Sequence, residues 1–411
     1  MKTSAKYAYV ISTNIIITLL GVITSIIIAR TLGPVGRGEL TTIILWPTLL
    51  GSIGAFGINE AIIYYSSKND PDLESMIYSS MVFMVFLSML YVLLGYFFTP
   101  LILKESSKEV QLLTRLYFLS VPITFVTGLI SSTLRGKLAI NLYNLQRISI
   151  SVIYTAAIIL IWVLGFSNIS SFVFGQLASF FLFLLLSFYI FKIDVTKLRC
   201  SFAPFLRTFK YGLKSQFNFI CFLINAQLIP IILSIYYPPG ALGIYTVALV
   251  LASTISPVVI GITAISFPII GASSSLTKKT DVINILRNSG VFIAGLTFIV
   301  FLSADPLIYH FYGNSFIDSI MVCKVLLIGY AFWSFHLIMN DLLRGLNMFK
   351  YLIAIELLGL LISLLAIPYM LWRFGLIGAA IGFSISAVTI ALVQIVTLAI
   401  SLRIKRSELI V

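Results

Sequence analysis

Charge is scarce in this chain. Only 10% of its 411 residues are Asp, Glu, Lys or Arg, while 60% are hydrophobic and the mean hydropathy is +1.08. A soluble globular domain carries roughly 25% charged residues, so an ordinary water-facing surface is excluded for most of the sequence. Histidine occurs only at His310 and His336. Cysteine occurs only at Cys200, Cys221 and Cys323, too scattered for a disulfide framework or a metal motif. There is no HExxH, no GxSxG, no Walker glycine loop and no clustered pair of aspartates. An enzyme is therefore not expected, and neither is a cofactor or a bound metal. Acids are the rarer charge, 14 against 27 Lys and Arg, giving +13. Such a balance can signal nucleic acid, but here the cations lie between apolar runs, where anionic lipid and the insertion rule place them. Met1 to Lys6 leads into the first run without a small-residue cleavage site.

What the chain does have is apolar runs. A span of ~20 apolar residues crosses the hydrocarbon core. The runs predict an all-α polytopic membrane protein of about twelve transmembrane helices, at 9–30, 40–66, 76–101, 115–134, 148–165 and 171–191, then 211–236, 243–271, 290–304, 318–340, 351–372 and 377–402. The ninth is short. Prolines within the runs, at Pro47, Pro122, Pro230, Pro257, Pro268 and Pro368, favour bent helices around a cavity over straight rods.

The chain also repeats itself. Lys6-Tyr7-Ala8 with Asn14 returns as Lys210-Tyr211-Gly212 with Asn218. Gly38-Glu39-Leu40-Thr41 returns as Gly243-Ile244-Tyr245-Thr246, Leu134-Arg135-Gly136 as Leu343-Arg344-Gly345, and Phe174-Gly175 as Ile381-Gly382. The offsets stay near half the chain length, as in a duplicated chain. The organisation expected is a six-helix lobe over 1–191, a basic linker over 192–210 and a second, homologous six-helix lobe over 211–411. With this partition, twenty of the 27 basic residues fall on the side of the N-terminus. The positive-inside rule then makes both termini cytoplasmic. Six spans per lobe also insert the halves in the same orientation.

Ionisable groups inside spans are functional candidates because hydrocarbon penalises them. Glu60 and Glu356 lie ~9 Å inside their runs, too deep for a glutamate to reach the interface, so they are ion-coupling candidates. Glu356 has a second explanation, the helix dipole near the start of its helix. Lys324, Arg115 and Asp341 can reach the interface by snorkelling.

The segment Ile28-Ala29-Arg30-Thr31-Leu32-Gly33-Pro34-Val35-Gly36-Arg37-Gly38-Glu39 resembles the corresponding segment of Wzx-type polysaccharide-repeat-unit flippases, within the multidrug, oligosaccharidyl-lipid and polysaccharide exporter superfamily. Gly57-Ile58-Asn59-Glu60-Ala61 and the two Leu-Arg-Gly segments are similar to theirs as well. The resemblance implies two six-helix lobes around a central cavity in a bacterial inner membrane. It implies transport of an undecaprenyl-diphosphate-linked oligosaccharide to the outer leaflet, for a surface polysaccharide such as O-antigen, beside other assembly proteins. Lipid II flippases of that superfamily carry arginine in the first helix, where Thr24 and Ser25 stand here.

On that reading, span one offers Asn14, Thr18, Gly21 and Ser25, and span seven Lys214, Asn218, Cys221 and Asn225, each set on one helical face. Such polar stripes can glue helices together. They can also line a cavity and bond sugar hydroxyls, with Lys214, Arg135 and Arg344 facing the diphosphate. A drug or metabolite antiporter of the same fold is the alternative, and a polysaccharide polymerase or ligase is disfavoured by short outer loops.

The charge bias makes a checkable statement about topology. A cysteine reporter placed between Asp194 and Lys210 should resist a membrane-impermeant thiol reagent added to intact cells; labelling there would invert the orientation.

Overall fold

The computed structural model of the chain describes residues 3–191, 200–256, 259, 278–346 and 348–402. Every regular element among them is helical: α1 (Thr3–Gly54), α2 (Ile58–Ser67), α3 (Leu73–Ile102), α4 (Lys108–Tyr117), α5 (Ser120–Gly136), α6 (Ile140–Val163), α7 (Ile169–Phe191), α8 (Phe202–Tyr236), α9 (Pro239–Ala252), α10 (Lys278–Leu307), α11 (Ser319–Gly345) and α12 (Phe349–Ser401). A helix satisfies its backbone N–H and C=O groups internally, which hydrocarbon cannot do for them.

Among the described residues, nine stretches are long and apolar enough to cross a membrane. Two of them, Ser12–Gly54 and Lys350–Ser401, hold 43 and 52 residues. The longer would run ~78 Å as a straight helix, against a core of ~30 Å. Each instead turns at one glycine with positive φ, Gly33 (65°) and Gly375 (59°). Pro34 follows the first turn, where its fixed φ suits a helix start. After the second, a Cβ on Gly382 would lie 2.7 Å from Ile367 Cα, so the two arms lie backbone to backbone. Counting these two as pairs gives eleven crossings among the described residues, beside the shorter apolar helix Pro239–Ile255.

The structure corrects several expected boundaries. The run at 40–66 is broken at Ala55–Gly57, where Phe56 and Gly57 take φ of 48° and 65°. The ninth span is not short: Val282–Tyr312 has 31 residues, because Asp305 and Pro306 are carried inside the helix. Span seven starts at Phe202, so the C-terminal part of the expected linker is helix. Its other part, 192–199, and the end of the eighth run lie outside the described residues.

The chain divides into two compact units. The N-terminal unit comprises Ile27–Leu223 and Pro230–Gly243. One of its cores joins α2, α3 and α5 through Ile58, Ile62, Met76, Met84, Phe125 and Leu129, with Phe205 and Phe209 of α8 packed against it. A second joins the arms of α1 to α4, α6 and α7 through Ile28, Leu40, Tyr117, Ile158 and Phe172. The C-terminal unit comprises Met1–Ile26, Ile224–Ile229 and Ile244–Val411. Here Leu326, Leu327, Leu342, Ile367 and Ile390 are fully buried.

Inside the N-terminal unit the sequence repeat becomes a contact. A Cβ on Gly38 would sit 1.7 Å from Pro239 O and 3.0 Å from Gly243 N. One on Gly243 would sit 2.0 Å from Pro34 O and 3.1 Å from Gly38 N. Pro34 and Gly38 stand 205 positions before Pro239 and Gly243, and the two segments touch reciprocally, as across a local two-fold axis. No side chain fits between these backbones. Gly38→Ala and Gly243→Ala should each destabilise by ~1–3 kcal/mol, the usual range for overpacking. Together they should cost less than their sum, since one displacement relieves both. Thermal unfolding in detergent measures this; additive or negligible effects would mean that the backbones do not touch.

Candidate functional site

The break after Gly54 leaves helix carbonyls without partners. Gln216 of α8 supplies them: its Nε2 donates to Ile53 O at 2.9 Å and Ser52 O at 3.3 Å. The backbones are close here, since a Cβ on Gly212 would meet Phe56 O at 2.6 Å. The approach stacks Tyr211 on Tyr64, with centroids 4.4 Å apart and planes at 18°, and sets Tyr65 edge-on at 5.9 Å. Lys68 Nζ donates to Tyr64 Oη at 2.5 Å. That bond, the largest cause, and the nearby tyrosines hold the Lys68 ammonium above its usual pKa. The lysine is thus charged at physiological pH. Arg207 bridges to Asp72 at 2.5 Å and Asp70 at 3.4 Å, tying the start of α8 to the turn before α3. Gly136 packs against Ser66 and Ile63, which brings the end of α5, with exposed Arg135 and Lys137, to this same end. Lys214 is exposed on α8 just beyond Gly212. The result is a basic end floored with aromatic rings.

Near the Gly38–Gly243 contact the same unit has a cavity of about 320 Å³. Its walls include Glu39, Glu105, Ser106, Ser107, Tyr236 and Tyr237. Its charged lining is acidic.

The C-terminal unit holds buried polar side chains instead. His336 Nε2 lies 3.1 Å from Glu356 Oε1, and both residues are buried, at 0% and 2% exposure. Asn340 Nδ2 donates to Glu356 Oε1 at 3.0 Å, and Gln394 Nε2 donates to Asn340 Oδ1 at 2.7 Å. Gln394 Oε1 lies 3.1 Å from His336 Nδ1. Beside this group, Ser363 Oγ is 2.6 Å from Asn225 Oδ1 and 2.7 Å from Ser386 Oγ, and Ser386 donates to Gly359 O.

These placements sort the residues expected from sequence. The stripe on span one is not a single open face. Asn14 and Ser25 are buried, Ser25 accepting from Tyr312 Oη at 3.3 Å, while Thr18 bonds the carbonyl of Asn14 and Gly21 is exposed. Asn225 is likewise enclosed by its serines, the helix-gluing role. Asn218 is helical, and its side chain lies outside what is described. Arg344 pairs with Asp341 at 3.4 Å rather than standing free. The two glutamates exchange explanations. Glu60 is exposed in the first turn of α2, where the helix dipole welcomes an acid. Glu356 lies inside α12 and is the enclosed one. Lys324 bonds Asp305 at 2.7 Å instead of snorkelling alone, and Arg115 stacks on Tyr96 at 4.5 Å. Sequence reasoning missed His336, Asn340, Gln394 and Ser363. The available signal was His336 and Asn340 one turn apart within an apolar run.

Residues 4–274 match the model of a family described as polysaccharide biosynthesis protein. The chain belongs to that family. No curated protein matches it. Solved structures place this polysaccharide biosynthesis family member within a known fold. The lipid II flippase MurJ, in an inward closed conformation, aligns with a TM-score of 0.73 and 16% identity, covering 96% of this chain and 87% of that one. A multidrug resistance MATE family transporter of the MOP superfamily, inward-facing, aligns at 0.72 and 16% over 98% and 95%. A MOP superfamily transporter from Pyrococcus furiosus, whose binding pocket is described as of reverse polarity, aligns at 0.69 and 14% over 97% and 95%. The protein is thus a multi-pass membrane protein, all-α among the described residues, with the fold of those transporters.

The stacked tyrosines give a measurable coupling. In a double-mutant cycle with Tyr64→Ala and Tyr211→Ala, the pair should show about 0.5–1.5 kcal/mol of interaction. Zero coupling in thermal unfolding would remove the stack from the account.

Proposed function

We propose that this protein moves an undecaprenyl-diphosphate-linked oligosaccharide from the cytoplasmic to the outer leaflet of a bacterial inner membrane by alternating access. It does no covalent chemistry and serves the synthesis of a surface polysaccharide such as O-antigen, alongside the proteins that build and polymerise the repeat. The observation that carries this reading is the basic, aromatic-floored end of the N-terminal unit in a polysaccharide biosynthesis family member. A diphosphate needs cations that are not already neutralised, and exposed Lys214 and Arg135 meet that need. Arg207, held by Asp70 and Asp72, contributes structure rather than free charge. Tyrosine rings beside the cations offer the flat surface that sugars stack on. Asn14, Ser25 and Asn225, enclosed among packed helices, hold helices together rather than meet the sugar. The positive-inside bias supports a cytoplasmic orientation for this end.

In a deletion strain, lipid-linked repeat units should accumulate on the inner leaflet while surface polysaccharide disappears. Lys214→Arg should restore export, and Lys214→Glu, at normal protein level, should restore less than about a tenth, the effect of ~1.4 kcal/mol or more. Unchanged polysaccharide with altered drug tolerance would assign the chain to antiport instead. Normal export by Lys214→Glu would reduce that lysine to a membrane anchor.

A further inference from the structure

The buried group around Glu356 is one proton short as it stands. Gln394 donates from Nε2 to Asn340, so its Oε1 is turned to His336 Nδ1 and can only accept; Nδ1 must carry a hydrogen. Asn340 Nδ2 donates to Glu356 Oε1 at 3.0 Å and lies 3.2 Å from His336 Nε2, two sides of a triangle. The third side, Nε2 to Oε1 at 3.1 Å, then joins two acceptors with nothing between them. A second observation points the same way. Glu356 Oε2 is buried and has no hydrogen-bond partner, an arrangement that disfavours a net negative charge at the carboxylate.

We infer that His336 and Glu356 form a binding site for one proton, held on the line between Nε2 and Oε1. With the proton present the pair is neutral overall, either as imidazolium with carboxylate or as imidazole with carboxylic acid. When the proton leaves to bulk water, imidazole and carboxylate remain and the enclosed group carries one negative charge. Little nearby can compensate it. From α11 the charged groups are Arg344, which acts on Glu356 from farther off, Asp341, which pairs with Arg344, and Lys324, which pairs with Asp305 of α10. The opening of α12 adds the exposed Lys350, and its arm beyond Gly375 adds only Gln394, having no charged residue. The stretch Ile224–Ile229 of α8 brings Asn225 and no charge. A metal is a poor occupant: an imidazole does not suit hard alkali or alkaline-earth cations, and no cluster of three or more His, Cys, Asp or Glu occurs among the described residues.

Trp333 reports on this site, because its ring centroid lies 4.9 Å from that of His336. The full chain is prepared in lipid nanodiscs with Trp46→Phe, Trp162→Phe and Trp372→Phe, leaving Trp333 as the sole indole. Its fluorescence is titrated from about pH 4 to 10, a range spanning the imidazole pKa on both sides. One transition of single-proton steepness is expected, with emission rising as the proton leaves. It should vanish in His336→Gln. In Glu356→Gln it should vanish or shift by about one pH unit or more, a tenfold change in proton affinity. An absent transition, one unmoved by Glu356→Gln, or a change driven by sodium at fixed pH overturns the site. Should the variants fail to fold, the unaltered chain decides alone: infrared difference spectra across the midpoint should show a carboxyl or imidazole band changing, and their silence refutes the proposal. Transport is not read, so the result is independent of the cargo.

Discussion

Hydrocarbon offers a peptide group nothing to bond to, and that single deficit organises this protein. It makes every regular element described a helix, and it decides what happens wherever a helix stops. At Gly33 and Gly375 one residue changes direction and helix resumes at once, so few carbonyls are stranded. At Gly54–Gly57 the interruption is longer, and Gln216 crosses from α8 to cover Ser52 and Ile53. The same deficit governs side chains. His336, Asn340, Glu356 and Gln394 are enclosed together because none could be enclosed alone.

Charge is grouped within the N-terminal unit. Lys68, Arg135, Lys137, Arg207 and Lys214 gather around the tyrosine stack, while Glu39 and Glu105 line the cavity beside the glycine contact. For an anionic group the first set is the attractive one.

Much of this architecture was legible in the sequence, because hydropathy is a sum over ~20 residues and tolerates local error. The hairpin at Gly33 and the reach of most spans follow from such sums. Breaks inside a run were not legible: Phe56 adopts a positive φ that nothing in its type announces. The ninth span looked short because Asp305 interrupts its hydropathy, and only the structure reveals Lys324 as the partner that makes Asp305 tolerable there. For the site, spacing put Asn14, Thr18 and Ser25 on one face but could not say what that face meets. Glu356 was found by depth, whereas its partners come from spans ten and twelve, a juxtaposition that one-dimensional spacing does not contain.

The reciprocal seating of Gly38 on Pro239 and of Gly243 on Pro34 has a consequence for origins. A contact in which each half presents the same surface to the other is what two identical half-length chains would make about a shared axis. Such a dimer holds together only above some concentration of subunits in the membrane. Joining the copies end to end removes that dependence, and it frees each copy to change separately. The enclosed histidine and glutamate could then arise in one alone, while the glycines at the old axis stayed as small as the close approach demands.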